Sequence, residues 1–252
     1  MCYNKEASVI ATLIGFTSAA CAYRLGHPVI AAFIATYTTV QIAEGFIWYG
    51  IETNNVDMNQ LGSSLLLSSL PSHAFVTVAV ALVWCLGQKD WSKAHQQSVF
   101  RTLILLFLLS VGAMAMMLSD KQMDNQNTTV KTICDNKPLR ANQSFWLCRL
   151  NWNFKPKYRF FSSVSYIIQV FILAIIFKIV YNNSPIVFYI LSIYFGTIFL
   201  SIIIGLYAHG RYAMDAQLSM KLSISTLWCF FSAVASPLVV FVLWYYGRTQ
   251  NK

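Results

Sequence analysis

Seven long apolar runs, separated by more polar segments, are the feature that most constrains the fold of this 252-residue chain. A bilayer core about 30 Å thick is crossed by about 20 mostly apolar residues in helical form. The runs therefore predict an all-α membrane protein, a seven-transmembrane-helix bundle that forms a single domain over residues 1–252. The predicted helices are 6–24, 28–51, 61–87, 99–118, 161–181, 185–208 and 219–246.

The composition favours a membrane protein over a soluble one. Hydrophobic residues make up 57% of the chain and charged residues only 11%, whereas a soluble domain has about 25% charged residues. The first run is expected to be a helix rather than a signal peptide, because MCYNKE is hardly basic and no small-x-small cleavage site follows the run. A cleaved signal followed by six helices is the alternative.

One connection, residues 119–160, is long and polar. It contains two cysteines, Cys134 and Cys148, and two glycosylation-type triplets, which begin at Asn127 and Asn142. In an oxidising compartment the cysteines would form a disulfide and the asparagines would carry glycans; free thiols and unmodified triplets are the alternative. With eight Lys and Arg against three Asp, the loop is expected to contact anionic head groups, glycans or a protein partner, and not nucleic acid.

Two signals disagree on which side of the membrane this loop lies. With seven spans, the N-terminus and the loop share a side that carries eleven of the 18 Lys and Arg residues, and the positive-inside rule would make that side cytoplasmic. The cysteine pair and the glycosylation triplets instead favour an oxidising, glycosylating compartment. We predict an integral, multi-pass protein whose N-terminus is outside or lumenal and whose C-terminus is cytoplasmic.

The second run carries polar residues on one helical face. Gln41, Glu44 and Trp48 are spaced i, i+3 and i+7, which aligns them on a helix, and Tyr37 continues the same face. A carboxylate at bilayer depth is costly, so it is usually paired or functional. These residues are therefore the first candidates for a site that binds a substrate or an ion.

His73 in the third run is the candidate partner of Glu44, although it is expected to lie deeper, so that contact requires helix tilt or a bridging water. A Glu–His pair would suit a proton-sensitive switch or relay, since both side chains exchange protons. The alternative is a structural polar clamp, in which Gln41, Glu44, Trp48 and His73 satisfy one another and fix the helix packing. Gln169 in the fifth run is a further candidate member of this cluster.

Motifs for catalysis, metal binding and cofactor attachment are missing from the sequence. The four histidines have no HxxxH-type spacing, and neither Gly-x-Ser-x-Gly nor Cys-x-x-Cys occurs. A retinal protein would need a lysine in the middle of its last helix, whereas Lys221 lies at the start of the seventh run. The sequence predicts no metal, no cofactor and no catalytic residue, and an enzyme is the less favoured class.

The first third of the chain contains several short motifs and single residues that together form a pattern: Met1-Cys2, Ser8, Gly15, Gln41-x-x-Glu44, Trp48, Asn59-x-x-Gly62 and Leu70-Pro71-x-His73. Together they resemble a family of uncharacterised seven-helix membrane proteins seen in giant viruses, bacteria and some eukaryotes. The chain departs from that family at Tyr3-Asn4, where Trp-Ser is usual, and at Gly45, where an aromatic residue is frequent. The resemblance covers about residues 1–75 and implies the seven-helix fold but no established activity.

Two functional hypotheses of different class follow. The first is a small transporter, channel or proton-sensitive membrane protein that uses the Gln41, Glu44 and His73 cluster. The second is a receptor-like or scaffold protein that binds a partner through the basic loop 119–160, and an intramembrane enzyme comes third. Transport predicts a wet cavity that reaches Glu44, whereas a structural clamp predicts that Glu44 is sealed and hydrogen-bonded.

Overall fold

The computed structural model describes residues 5–120, 131–132, 150–151, 159–181, 185–212 and 228–250. Within these ranges the chain is helical apart from the short turns 25–27, 53–55 and 87–92 and one two-residue ladder. The helices are α1 (Lys5–Arg24), α2 (Pro28–Glu52), α3 (Val56–Leu86), α4 (Lys93–Asp120), α5 (Arg159–Tyr181), α6 (Pro185–Tyr212) and α7 (Trp228–Gln250). The strands β1 (Lys131–Thr132) and β2 (Leu150–Asn151) pair antiparallel, in the connection between α4 and α5.

The prediction of a helical membrane protein is confirmed at a coarse level. Three helical segments are long and apolar enough to cross a membrane: Lys5–Arg24, Pro28–Glu52 and Lys93–Met116. Four shorter apolar stretches follow in the described part of the chain: Ser72–Leu86, Ile168–Tyr181, Pro185–Thr197 and Ala233–Tyr246. That all seven predicted runs cross the membrane stays a prediction, and residues 219–227 of the seventh run lie outside the described ranges.

Two helices begin earlier than their apolar runs. Helix α3 begins at Val56 rather than at residue 61, because the Asn55 side chain caps it by accepting a hydrogen bond from the Met58 N–H at 3.1 Å. Helix α4 begins at Lys93 rather than at residue 99. Hydropathy reports which residues suit lipid, whereas helix ends are set by backbone hydrogen bonding, so a polar first turn is invisible to a hydropathy criterion.

Helix α2 is the most deeply buried of the three long apolar helices. Of the 18 consecutive residues that are most apolar in each helix, 67% are buried in α2, compared with 33% in α1 and 22% in α4. It packs against α1, α3 and α7. Near its N-terminal end the Phe33 ring also meets the rings of Phe177 on α5 and Tyr194 on α6, with centroids 5.1 and 4.8 Å apart. Helix α2 thus contacts α1, α3, α5, α6 and α7, whereas α4 packs against α3 and α5.

The outer faces of the helices carry large apolar side chains. Leu13, Leu105, Phe171, Phe188 and Phe241 are each more than half exposed, and they come from α1, α4, α5, α6 and α7. Apolar surface spread over so many elements would be an aggregation liability on a soluble protein. Lipid tails cover such a surface without cost, which agrees with a membrane-embedded chain.

Glycines bring α2 into very close contact with its two sequence neighbours. Gly15 on α1 faces Thr38, and a Cβ at Gly62 on α3 would lie 2.6 Å from the Ala43 carbonyl oxygen and 2.7 Å from the Ile47 backbone nitrogen. The buried face of α1 consists of small residues: Ser8, Ala11, Gly15, Ser18, Ala19 and Ala22. Because lipid removes the hydrophobic driving force between helices, close van der Waals packing of small residues holds them together.

We predict that Gly62→Ala lowers the free energy of unfolding by about 1–3 kcal/mol, because a rigid methyl group would be pushed into the α2 backbone. Gly112→Ala on α4 is the matched control, since a Cβ there meets nothing within 4 Å. The measurement is equilibrium unfolding in detergent. Equal stability of the two variants would contradict the close packing of α2 and α3.

Candidate functional site

One face of α2 carries a polar stripe, which we define as Tyr37, Gln41, Glu44 and Trp48. All four side chains are buried, and Gln41 and Glu44 have no exposed surface at all. Both carboxylate oxygens of Glu44 are sealed from solvent. The predicted alignment of these residues therefore holds, and the face on which they lie is turned toward protein.

The threonines near the stripe are satisfied within α2 itself. The Thr36, Thr38 and Thr39 hydroxyls donate to the carbonyl oxygens of Phe33, Ile34 and Thr36, at 2.9, 2.7 and 2.6 Å. A hydroxyl that bonds back to the preceding turn needs no partner from another helix. The three threonine hydroxyls therefore form their hydrogen bonds within α2 and need no partner on a neighbouring helix.

His73 lies in the core and contacts the polar stripe through Tyr37. The two rings are stacked, with centroids 4.1 Å apart and planes 20° apart, and only 2% of His73 is exposed. The Thr77 hydroxyl donates to the His73 carbonyl oxygen at 2.7 Å, a hydrogen bond within α3. The stacking on Tyr37 places the His73 imidazole against the end of the stripe at which Tyr37 lies.

Glu44 and His73 lie at different levels along the helix axes. Tyr37, which stacks on His73, precedes Glu44 by seven residues, or about 10 Å along the helix axis. Gln41 lies between these two levels on the same buried face of α2. The carboxyl group and the imidazole are therefore separated along this face, with the carboxamide at a level between them.

Further buried polar groups surround the level of Glu44, and the sequence analysis did not include them in the cluster. Asn59 and Ser63 on α3 are buried, and the Ser63 hydroxyl donates to the Asn59 carbonyl oxygen at 2.8 Å. Ser8 on α1 is also buried and packs near Gly45, the residue after Glu44. In the sequence, Asn59 and Ser63 could have been found from their i, i+4 spacing beside Gly62.

The remaining predicted residues have different outcomes. Gln169 is buried on α5, which packs against α3 and α4, so it belongs to the same helical core. The cysteines Cys134 and Cys148 and the asparagines Asn127 and Asn142 lie outside the described residues.

The arrangement is suited to holding a proton in a water-excluded place. A carboxyl group, an imidazole and a carboxamide lie along one seam, and each can donate or accept hydrogen bonds. Burying an unpaired charge there would cost far more than burying a neutral, hydrogen-bonded group. Among the described residues, no group of three or more His, Cys, Asp and Glu is placed to hold a metal ion.

Comparisons with known proteins give no match. No family model matches the sequence, and no curated protein and no solved structure matches it at a significant level.

We predict that Glu44→Ala lowers the free energy of unfolding by about 2–4 kcal/mol, because it opens a cavity and takes away a buried polar group. Glu44→Gln keeps the volume and is expected to cost less than about 1.5 kcal/mol. Glu52→Gln on the same helix removes only a half-exposed ion pair with Lys5, worth about 0–1 kcal/mol. Unfolding in detergent compares the three, and a loss for Glu44→Ala no larger than for Glu52→Gln would show that Glu44 is not integral to the packing.

Proposed function

We propose that the chain is a multi-pass membrane protein that responds to protons through the polar stripe and His73, as a proton-sensitive switch or as a small proton-coupled transporter or channel. The observation that supports the proposal is that two ionisable groups, the Glu44 carboxyl group and the His73 imidazole, are buried on adjacent helices, with the buried Gln41 carboxamide at a level between them. The proposal includes the seven membrane crossings that the apolar runs predict and membership of the seven-helix family that the first 75 residues resemble.

Burial couples the protonation of Glu44 to the packing of the helices. A charged carboxylate in an apolar interior is costly unless it is paired, whereas the protonated form needs only hydrogen-bond partners. A change in its charge therefore favours a different arrangement of the seam formed by α2 with α1 and α3. The close contacts at Gly15 and Gly62 make that seam tight in the arrangement described, which supports a closed state of such a protein.

The sealed Glu44 side chain of this structure is the outcome that the polar clamp predicts, whereas transport predicts a wet cavity at Glu44. The proposal therefore requires a second state in which water reaches Glu44. The two interpretations differ in what happens when the proton concentration changes. A clamp keeps its protons and its packing, whereas a proton-sensitive element takes up or passes protons and rearranges. Proton movement, rather than accessibility in one state, therefore decides between them.

We predict that purified protein in liposomes carries a proton flux, or a flux driven by a proton gradient, that falls by at least about tenfold in Glu44→Gln, because a positioned proton-exchanging group contributes factors of this size or more. A pH-sensitive dye inside the vesicles measures the flux. Glu52→Gln is the control, since it removes a carboxylate of the same helix that is exposed and paired with Lys5. Equal flux in wild type and Glu44→Gln would exclude proton transport by this residue.

The second candidate is a receptor-like or scaffold role for the basic loop 119–160, and the described ladder favours it. Thr132 pairs with Leu150, which joins two points that are 18 residues apart and closes the segment between them. Cys134 follows Thr132 by two residues, and Cys148 precedes Leu150 by two, so both cysteines are near the ladder in sequence, although they lie outside the described residues. We propose a disulfide between them, glycosylation at Asn127 and Asn142, and an outside or lumenal loop and N-terminus.

If the loop is closed in this way, peptide mapping without reducing agent should recover a fragment that links Cys134 to Cys148. Cys134→Ser should abolish capture of a loop-binding partner while the helices unfold at an unchanged temperature, because the disulfide would constrain the loop and not the helical core. Cys21→Ser, at an exposed position on α1, is the control. Unchanged capture by Cys134→Ser would contradict the closed loop as the binding element.

A further inference from the structure

A groove of about 470 Å³ lies along α1 and α2 and reaches the start of α3. Its volume lies in the usual range for sites that hold small molecules, about 300–1,000 Å³. Most of its wall is apolar: Val9, Leu13, Ile42, Phe46, Tyr49 and Met58. Because Val9 and Leu13 are more than half exposed on the outer face of α1, the groove opens toward the lipid.

The groove is long rather than round. Its lining on α1 runs from Lys5 to Leu13, and on α2 from Tyr49 to Gln41, which is about 12 Å along either helix. Gly45 forms part of the wall. The space beside this glycine is open, because a Cβ built there would have only Ser8 Cβ within 4 Å, at 3.6 Å. A slot of this shape, parallel to the helices, matches one extended acyl chain better than a compact ligand.

The rim of the groove is charged, and carboxylates outnumber ammonium groups there. Lys5 Nζ lies 2.9 Å from Glu52 Oε2 and 3.9 Å from Glu6 Oε1, and 5.8 Å from the centre of the Tyr49 ring. Among the described residues of this rim, two acids therefore lie within 4 Å of one base beside an aromatic ring.

These charges select between classes of lipid. An anionic head group would meet more carboxylate than ammonium at the rim, whereas a head group with its own ammonium can pair with the carboxylates and with the face of Tyr49. The phosphate of the same head group can replace Glu52 as the partner of Lys5 when the ammonium group pairs with the Glu52 carboxylate. We therefore propose that the groove binds one zwitterionic phospholipid, with an acyl chain along α1 and α2 and its ammonium group at the acidic rim.

The proposal is tested on the full chain in nanodiscs made of equal amounts of phosphatidylcholine and phosphatidylglycerol with the same acyl chains. After transfer to detergent, native mass spectrometry counts the lipids that stay bound. We expect phosphatidylcholine to be retained over phosphatidylglycerol by about threefold or more, a preference of the size that half-exposed charge pairs support. Equal retention or a preference for phosphatidylglycerol would overturn the proposal.

Variants of the chain distinguish lipid bound in the groove from lipid that only surrounds the protein. Thr12→Phe places a ring in the groove and should remove the retained phosphatidylcholine, whereas Leu108→Phe, at an exposed position of α4, should not. Glu6→Gln combined with Glu52→Gln should bring the ratio of the two lipids toward one. If Thr12→Phe and Leu108→Phe retain the same lipids, the groove is not the site.

A second measurement does not depend on the folding of any variant. Phosphatidylcholine that carries a photoreactive diazirine on its acyl chain should label the groove residues Leu13, Ile42 and Phe46 of the wild-type chain in preference to Leu108. Labelling spread evenly over the outer faces would overturn the proposal. Neither measurement depends on proton flux, so this inference and the proposed function can fail separately.

Discussion

The burial of Glu44 on the central helix is the constraint on which the rest of the structure depends. An isolated charge cannot be accommodated in an apolar interior at reasonable cost, so α2 needs polar neighbours and close packing at the level of this residue. Gly62 lets the α3 backbone approach Ala43 and Ile47, and the small-residue face of α1 closes the other side. The α3 backbone at Gly62 lies against Ala43 and Ile47, and Gly15 of α1 lies against the Thr38 side chain, so both neighbouring helices approach α2 closely.

Helix α2 presents two contrasting environments. One face holds the sealed polar stripe, and another contributes Ile42 and Phe46 to an open apolar groove. Gln41 belongs to the stripe and also borders the inner end of the groove, so it is the point where the two meet. A lipid chain in the groove would therefore cover the outer side of the polar stripe and help to keep water away from it.

Sequence periodicity predicts most of the candidate site, because a helix of 3.6 residues per turn fixes which side chains share a face. Gln41, Glu44 and Trp48 share one face of α2, and that face is buried. His73 stacks on Tyr37, about 10 Å from Glu44 along the helix axis. The sequence does not predict that the imidazole stacks on Tyr37, because that contact depends on the axial position of α3 against α2. Nor does it place Asn59, Ser63 or Ser8 beside the polar stripe, since Ser8 and Asn59 enter the sequence analysis only as motifs of the family resemblance.

Local sequence patterns account for the helical structure, for the segments long and apolar enough to cross a membrane, and for the carboxylate and carboxamide that share one face of the second helix. These patterns act over one or two turns, through hydropathy and helical period. The packing of the helices accounts for the inward orientation of this face, for the position of α2 among its neighbours, and for the groove with an acidic rim between α1 and α2. Such properties depend on which helix backbones approach most closely. A glycine such as Gly62 permits a close approach only where another helix, here α2, faces it.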